Sequence, residues 1–503
     1  MDPSLDLDRR ALDRARKSRD ARFDGRFFIA VTSTGIYCRP ICPAPSPKHA
    51  NIRYYGSAAA AAEAGFRPCL RCRPEAAPGT PAWLGTSAVV NRALRLIQQG
   101  ALDEASVDAL AARLGVGPRH LHRLFLQHVG ASPIAVAQTR RLHFAKRLLD
   151  ETELPMTQVA LASGFGSLRR FNDAFRQSYA RAPSSLRRTR RGGTPRVALA
   201  LTLNYRPPYD WYRLLAFYAA RAVPGVESVI DGLYRRVIRM SPSKEGAVGT
   251  IAVRQLPELN ALALEIQHPD PLATAAIVQR VRVQFDLAAD PRPIAAVLGQ
   301  DRLLAASVAT SPGLRLPGAF DPFELSVRAV LGQQVSVAAA RTLAARVVAR
   351  CGEALDAPDA GLTHAFPTPR ALATADLDGI GLTGVRIRSI KALAAATASG
   401  ALDFDAEPTA LRATLAGIPG LGPWTVEYLM LRAALDPDAF PAGDLGLRKA
   451  AGRGDKISET ALAARAEAWR PWRGYAVFHL WGLLGETGGK QVRKKPARGR
   501  GRT

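Results

Sequence analysis

The chain has 503 residues, 47% of them hydrophobic and 22% charged, with a formal net charge of +26. At roughly 100–200 residues per domain, that length predicts three to five domains. No apolar run approaches the ~18 residues that span a bilayer, and the polar start Met1-Asp2-Pro3-Ser4-Leu5-Asp6 lacks the pattern of a signal peptide. A membrane or secreted protein is therefore not expected; a cytoplasmic one is.

The charge is unevenly placed. Residues 1–191 carry 31 Lys/Arg against 15 Asp/Glu, and 488–503 adds seven bases and no acid, leaving 192–487 nearly neutral. A surplus confined in this way suits a polyanionic partner, nucleic acid first, although an Arg-rich solvated surface gives the same count. Composition breaks at Pro74–Pro81, at the basic Arg187–Pro195 stretch and, more weakly, at Asp290–Pro293. They divide the chain into 1–80, 84–190, 196–305 and 310–487, followed by a basic tail, 488–503, expected to be disordered.

Residues 1–80 combine a strand-like run, Phe27–Val31, with an alanine-rich helix, Ala58–Ala64. Their four cysteines form two close pairs, Cys38-x3-Cys42 and Cys69-x2-Cys72, which can complete one tetrahedral sulfur shell for a single Zn²⁺. By itself this is equally a structural zinc knot. The surrounding residues, Ser33-Thr34-Gly35-Ile36-Tyr37-Cys38-Arg39-Pro40 and Gly65-Phe66-Arg67-Pro68-Cys69, resemble the zinc module of the Ada family, the adaptive response to alkylation damage. That resemblance implies that Cys38 accepts a methyl group from a DNA methylphosphotriester, once per molecule. The fifth cysteine, Cys351, reads as a packed thiol.

Residues 84–190 read as successive helices. Ser106 to Phe125 has a helix-turn-helix layout, with Gly115 ending the first helix and Pro118 opening the second. A second copy runs from Met156 to Phe171, with Ser167 as the expected cap. The doublet resembles an AraC-type DNA-binding domain. The resemblance implies that Arg119, His120, His122, Arg169 and Arg170 lie in or beside successive major grooves; a plain helical bundle with surface arginines is the other reading. RNA polymerase is an expected partner, nucleoid association an expected location, and a monomer the expected state.

Alternating segments at Val248–Val253 and Ala261–Ile266 predict strands beside two helices over 196–305, and the pattern from 320 to 484 is helical. There, Gly417-Ile418-Pro419-Gly420-Leu421-Gly422-Pro423-Trp424 is a tight glycine turn opening a helix, suited to binding a DNA phosphate through Gly420 and Gly422. Asp444 follows twenty residues beyond Trp424. Hairpin then aspartate resembles the helix-hairpin-helix DNA glycosylase superfamily. Asn204–Trp211, Leu314–Gly318, Arg328–Ser336 and Pro471–Ala476 sharpen the resemblance to the AlkA-type 3-methyladenine glycosylases.

The resemblance implies an α+β, TBP-like domain over 196–305, Asp444 as the catalytic carboxylate, a base pocket of Trp424, Tyr428 and Trp481, and Gln334 where that family has an intercalating leucine. Without it, Asp444 also reads as a helix N-cap and the three aromatics as helix core. Trp424 stands where strand-nicking relatives have lysine, so no Schiff base and no lyase activity are expected. No cysteine follows Cys351, so no iron–sulfur cluster is expected. Gly443 replaces a second acidic residue and Gly482 an aromatic one. The Pro-Cys-His-Arg motif of O6-methylguanine transferases is absent, so that repair is not expected.

The expected protein is thus multidomain, mainly α with α+β parts. It joins methyl transfer and sequence-specific transcription regulation to excision of 3-methyladenine and 7-methylguanine from double-stranded DNA. Two other readings stand: a regulator whose C-terminal half is catalytically inactive, or a glycosylase tethered by a purely structural zinc half.

Overall fold

The computed structural model describes residues 8–78, 88–103, 105–187, 198–240, 246–452 and 454–488. The basic tail beyond 488 lies outside them.

The first unit comprises α1 (Arg9–Lys17), β1 (Phe28–Val31), β2 (Ile36–Cys38), β3 (Ile52–Tyr55), α2 (Ala58–Glu63) and β4 (Arg67–Pro68). Asp8 caps α1 and Ser57 caps α2 by accepting backbone N–H bonds. The sheet order is β3-β1-β2-β4. Strand alternation buries both faces: Phe27, Ile29, Ile52 and Tyr54 pack with Leu12, while Phe28, Ala30 and Tyr37 pack with Ala61.

Seven helices follow: α3 (Ala88–Gln98), α4 (Val107–Arg113), α5 (Pro118–Val129), α6 (Pro133–Glu151), α7 (Met156–Ala162), α8 (Leu168–Tyr179) and α9 (Pro183–Leu186). The turn after α4 places Gly115 at φ +71 and the turn after α7 places Gly164 at φ +83. Only glycine holds such angles without strain. Ser167 caps α8, its hydroxyl accepting from Arg170 N–H at 3.3 Å.

The third unit holds a five-stranded antiparallel sheet, β5 (Leu199–Asn204), β6 (Glu227–Ile230), β7 (Leu233–Arg239), β8 (Val248–Leu256) and β9 (Ala261–Gln267), ordered β5-β9-β8-β7-β6. Helices α10 (Trp211–Arg221) and α11 (Thr274–Gln284) belong with it. Its core is continuous with that of the second helix-turn-helix: Leu148, Phe171 and Phe175 share one cluster with Leu201, Tyr234 and Phe285.

The last unit contains α12 (Pro291–Leu298), α13 (Ala305–Thr310), α14 (Pro322–Leu331), α15 (Val337–Cys351), α16 (Pro369–Thr374), α17 (Gly384–Ala398), α18 (Pro408–Ala416), α19 (Pro423–Arg432), α20 (Leu445–Ala451), α21 (Glu459–Ala466) and α22 (Arg473–Gly488). One feature departs from the expected all-helical pattern: a hairpin of β10 (Glu353–Asp359) and β11 (Leu362–Ala365). Its first strand, Glu-Ala-Leu-Asp-Ala-Pro-Asp, lacks a strand's local signature. It is held from outside, by Leu362 and Ala365 packing with Val237 and by ion pairs Arg239–Glu353 at 2.6 Å and Arg235–Asp359 at 3.2 Å.

Specific bonds join the units. Tyr37 Oη and His143 Nε2 are 2.9 Å apart; Arg73 pairs with Asp150 at 3.0 Å and Glu151 at 3.1 Å. Glu151 also accepts from Thr202 N–H at 2.7 Å, and Arg26 pairs with buried Asp290 at 3.2 Å. Arg92 Nε donates to the Asp405 carbonyl at 2.6 Å. Among the described residues, no helix is long and apolar enough to cross a membrane.

Asp286 sits where the third and fourth units meet. Its carboxylate accepts from Leu316 N–H at 3.1 Å and from Tyr475 O–H at 2.7 Å. Burial pushes this carboxyl up from 3.8 to about 6, against the pull of Arg315 and of those two donors. The folded state therefore binds the proton more tightly than the unfolded chain, and the stability this gives is lost as pH rises from about 4 through 6. Asp286→Asn should show no such loss: its melting temperature relative to the parent should rise between pH 4.5 and 7, as scanning calorimetry would measure.

Candidate functional site

Parallel pairing of β2 with β4 sets Ile36 against Arg67 and Tyr37 against Pro68. The next residue on each strand is a cysteine. Tight turns then return Cys42 and Cys72: Cys42 N–H bonds to the Arg39 carbonyl at 3.1 Å, and Arg73 N–H to the Cys69 carbonyl at 3.2 Å. All four sulfurs, of Cys38, Cys42, Cys69 and Cys72, lie within 4.8 Å of one another. Cys69 and Cys72 are buried, while Cys38 and Cys42 are half-buried.

Thiols this crowded compete for protons. Hydrogen bonding to Cys42 and Cys69 pushes Cys38 up, and the bond to Cys38 lowers Cys42 to about 7. A dication is what allows four such sulfurs to be thiolates together, and an all-thiolate shell of this size fits Zn²⁺. Arg39 adds fixed positive charge beside them. Its backbone N–H donates to Cys72 Sγ at 3.3 Å, and its buried guanidinium is held by Asp24 and by the Cys72 carbonyl at 3.1 Å.

In the helical doublet, Arg119, His120 and His122 are exposed on the first turns of α5, and Arg169 and Arg170 on the first turn of α8. The opposite faces, Leu121 and Phe125 or Phe171 and Phe175, are fully buried. Polar residues on one side and core on the other leave these five side chains free to meet a groove. Arg123, which the motif alone did not single out, is exposed as well and bonds to His120 Nδ1 at 2.9 Å.

The glycine turn before α19 is exposed at Gly420 and Gly422. Gly420 adopts φ +83, and a Cβ there would overlap the Ser389 hydroxyl of α17. Gln333 ties the turn down, its Nε2 donating to the Gly420 carbonyl at 2.9 Å and Thr425 Oγ1 at 3.1 Å. The next residue, Gln334, is exposed at φ +55, a left-handed angle unusual for a side-chain-bearing residue.

Asp444 caps α20, accepting from Leu447 N–H at 2.8 Å. It also accepts from two indoles, Trp424 Nε1 to Oδ2 at 2.9 Å and Trp481 Nε1 to Oδ1 at 3.2 Å. Trp424 stacks on Tyr428 with ring centroids 5.3 Å apart and planes 14° apart; Tyr428 and Trp481 are 6.5 Å apart at 48°. The structure thus gathers Trp424, Tyr428, Trp481 and Asp444 into one constellation. The indole bonds were not legible in the sequence, since no spacing signals them.

Both glycine departures have neighbours that account for them. A Cβ at Gly482 would overlap the Arg213 guanidinium, which is itself tied to Ser311 Oγ at 2.7 Å. Beside Gly443, the Glu459 carboxylate lies 3.4 Å from where a Cβ would stand, so an acid reaches this spot from α21 instead.

Comparison with known proteins follows the same division. Residues 11–75 match the metal binding domain of Ada, 110–189 a helix-turn-helix domain, 200–321 the AlkA N-terminal domain, and 327–474 the HhH-GPD superfamily of base excision DNA repair proteins. Over 479 residues, 94% of this chain and 95% of the relative, it is 43% identical to a probable bifunctional transcriptional activator/DNA repair enzyme AlkA of Mycobacterium tuberculosis. The chain belongs to this family of AlkA bifunctional activator/repair proteins. Its C-terminal part is 38% identical to DNA-3-methyladenine glycosylase 2 of Escherichia coli over 288 residues, covering 56% of this chain and 96% of that protein. The solved 3-methyladenine DNA glycosylase of Archaeoglobus fulgidus shares the fold at TM-score 0.51 and 21% identity, spanning 57% of this chain and 99% of that one. The AlkA-type chain therefore carries, in order, a four-cysteine zinc module, a DNA-binding helix-turn-helix unit and a glycosylase fold.

Proposed function

We propose that this chain senses and repairs alkylated DNA in two places: Cys38 takes a methyl group from a backbone methylphosphotriester, and the Asp444 constellation hydrolyses N-alkylated purines from their sugars. The observation that carries the second half is the pair of indoles bonded to Asp444. A carboxylate held by two pocket walls is fixed in position relative to any base that stacks on them, which is what transition-state stabilisation requires.

In the zinc module, the metal would keep Cys38, Cys42, Cys69 and Cys72 deprotonated at neutral pH. The Cys38 sulfur then attacks the methyl carbon, the carbon–oxygen bond breaks, and the phosphodiester leaves with the electron pair. The product is a thioether, with one negative charge fewer beside the DNA. Weaker repulsion of phosphates tightens binding, so Arg119, His120, His122, Arg169 and Arg170 engage promoter DNA more firmly after the reaction. RNA polymerase recruitment by a monomer on the nucleoid completes this half of the reading.

In the glycosylase, Gly420 and Gly422 hold a DNA phosphate and Gln334 fills the gap left by an extruded nucleotide. Trp424, Tyr428 and Trp481 stack on 3-methyladenine or 7-methylguanine, each cationic and already a good leaving group. Asp444 faces the oxocarbenium-like sugar as the base departs and orients the attacking water. Trp424 in place of a lysine leaves no amine to form a Schiff base, so the strand is not nicked.

Incubation with radiomethylated DNA tests both halves in one tube. Label should appear on Cys38 by peptide mapping, and free methylpurines should appear by chromatography. Label without released purine would leave a regulator with an inactive glycosylase half; released purine without label would leave zinc as a structural tether.

A further inference from the structure

The turn that carries Gln334, between α14 and α15, is held by a contact that the mechanism above does not use. Gln334 is exposed at φ +55. A residue with a side chain is disfavoured there by about tenfold in population unless its surroundings hold it. The two polar ends of the preceding residue show what holds it. The Gln333 side-chain amide donates to the Gly420 carbonyl at 2.9 Å and to Thr425 Oγ1 at 3.1 Å, while the Gln333 carbonyl accepts from Arg386 Nη2. Arg386 stands in the first turn of α17, where its own N–H donates to the capping Thr383 hydroxyl at 3.4 Å.

Three residues further along the same face of α17, buried Ser389 lies against the hairpin, where a Cβ at Gly420 would overlap its hydroxyl. One helix face thus supports both turns, through Arg386 the one with Gln334 and through Ser389 the one with Gly420. Helix α15 returns the grip: Arg346 Nη1 donates to the carbonyl of Ile380, in the turn before α17, at 3.2 Å. The carbonyl that Arg386 takes belongs to the peptide plane joining Gln333 to Gln334. Returning Gln334 to an ordinary negative φ rotates that rigid plane and carries its oxygen off the guanidinium.

We propose that Arg386 is a positioning residue for nucleotide extrusion, fixing the Gln333–Gln334 peptide so that Gln334 is held in its left-handed form at a set distance from the Gly420 turn. The inference rests on the reading of Gln334 as the residue that fills the gap left by the extruded nucleotide. A phosphate seated on the hairpin then defines where Gln334 enters the base stack, so gripping the backbone and opening the pair become one event. Arg386 acts before the chemical step and touches no reacting atom. Without it the turn relaxes, and extrusion draws on the fraction of molecules still in the left-handed form, about one tenth.

The test uses the full-length, zinc-loaded protein in single turnover on duplexes with 7-methylguanine opposite cytosine, or opposite adenine, where the pair is already broken and extrusion is easier. Arg386→Met should slow maximal base release about tenfold from the cytosine pair and no more than about twofold from the adenine mismatch. A 2-aminopurine next to the lesion, bright when its neighbour leaves the stack, should brighten less with this variant than with the parent at saturating protein. Gln334→Ala should show the same pattern, and the double variant should be no slower than Gln334→Ala alone. Arg386→Lys, which keeps a charged donor, should recover most of the rate. Equal slowing on both duplexes, as loss of a plain phosphate-binding cation would give, overturns the proposal; so do additive losses in the double variant or an unchanged rate with Arg386→Met. Should Arg386→Met melt well below the parent, the milder Arg386→Gln decides: slowing confined to the cytosine pair supports the assignment, and equal slowing or none overturns it. Parental release by Gln334→Ala would remove the gap-filling reading and the proposal with it. Failure of the parent to release 7-methylguanine from either duplex would instead overturn the glycosylase reading on which both rest.

Discussion

Asp444→Asn is expected to slow release of 7-methylguanine by about 10²–10³-fold, the range found when a preorganised electrostatic stabiliser is removed from an active site. The argument lies in the carboxylate's three donors: Leu447 N–H and Trp481 Nε1 on Oδ1, and Trp424 Nε1 on Oδ2. Asparagine can keep its oxygen on the Leu447 and Trp481 side, so α20 stays capped. Its amide nitrogen must then face the Trp424 indole, donor against donor, and one part-buried N–H loses its partner, at a cost of about 1 kcal/mol. The substitution therefore removes negative charge from the sugar site and also loosens one pocket wall. Asp444→Ala adds loss of the cap, about 1 kcal/mol. Single-turnover base release, with binding to an abasic-site duplex as control, separates the two effects. Undiminished release by the asparagine variant would mean that Asp444 serves only as a helix cap.

What the sequence made legible was chemistry confined to one turn or one motif. Cys38-x3-Cys42 and Cys69-x2-Cys72 declare a sulfur site because each pair needs only local geometry, and the Gly417–Trp424 turn declares itself because glycine is required where the backbone is left-handed. Ser167 reads as a cap for the same reason. Features built across long separations were silent. Trp481 meets Asp444 from 37 residues away, and Gly482 is small because Arg213, on a helix of another unit, occupies its Cβ volume. The β10–β11 hairpin follows tertiary demands, since its polar first strand is held by Arg235 and Arg239 of the neighbouring sheet rather than by its own pattern. Composition places a boundary near 190, yet the core runs across it: Phe171 and Phe175 belong to the same buried cluster as Tyr234 and Phe285, and that continuity leaves no mark on the linker.

Cys38→Ala is expected to abolish covalent methyl labelling while base release continues. Removing one sulfur leaves Cys42, Cys69 and Cys72 in place. If the roughly 10–16 kcal/mol of structural zinc binding is shared over four ligands, the variant should bind zinc about a hundredfold more weakly or worse, yet still fill at micromolar metal. Cys72→Ala should be harsher. Cys72 is buried and its sulfur takes the Arg39 N–H, whose guanidinium ties Asp24 to the Cys72 carbonyl, so its loss disturbs the wall of the unit as well as the metal shell. That disturbance should travel. The same unit holds Arg26 on Asp290, Arg73 on Asp150 and Glu151, and Tyr37 on His143, so its unfolding takes one cationic partner from each of these three acids and the hydrogen bond from His143. Cys72→Ala, or chelation of the parent, should therefore lower the melting temperature of the whole chain. Cys38→Ala at saturating zinc should leave it close to that of the parent. A chain whose glycosylase half melts at the same temperature in all three states would show that these contacts do not couple the units.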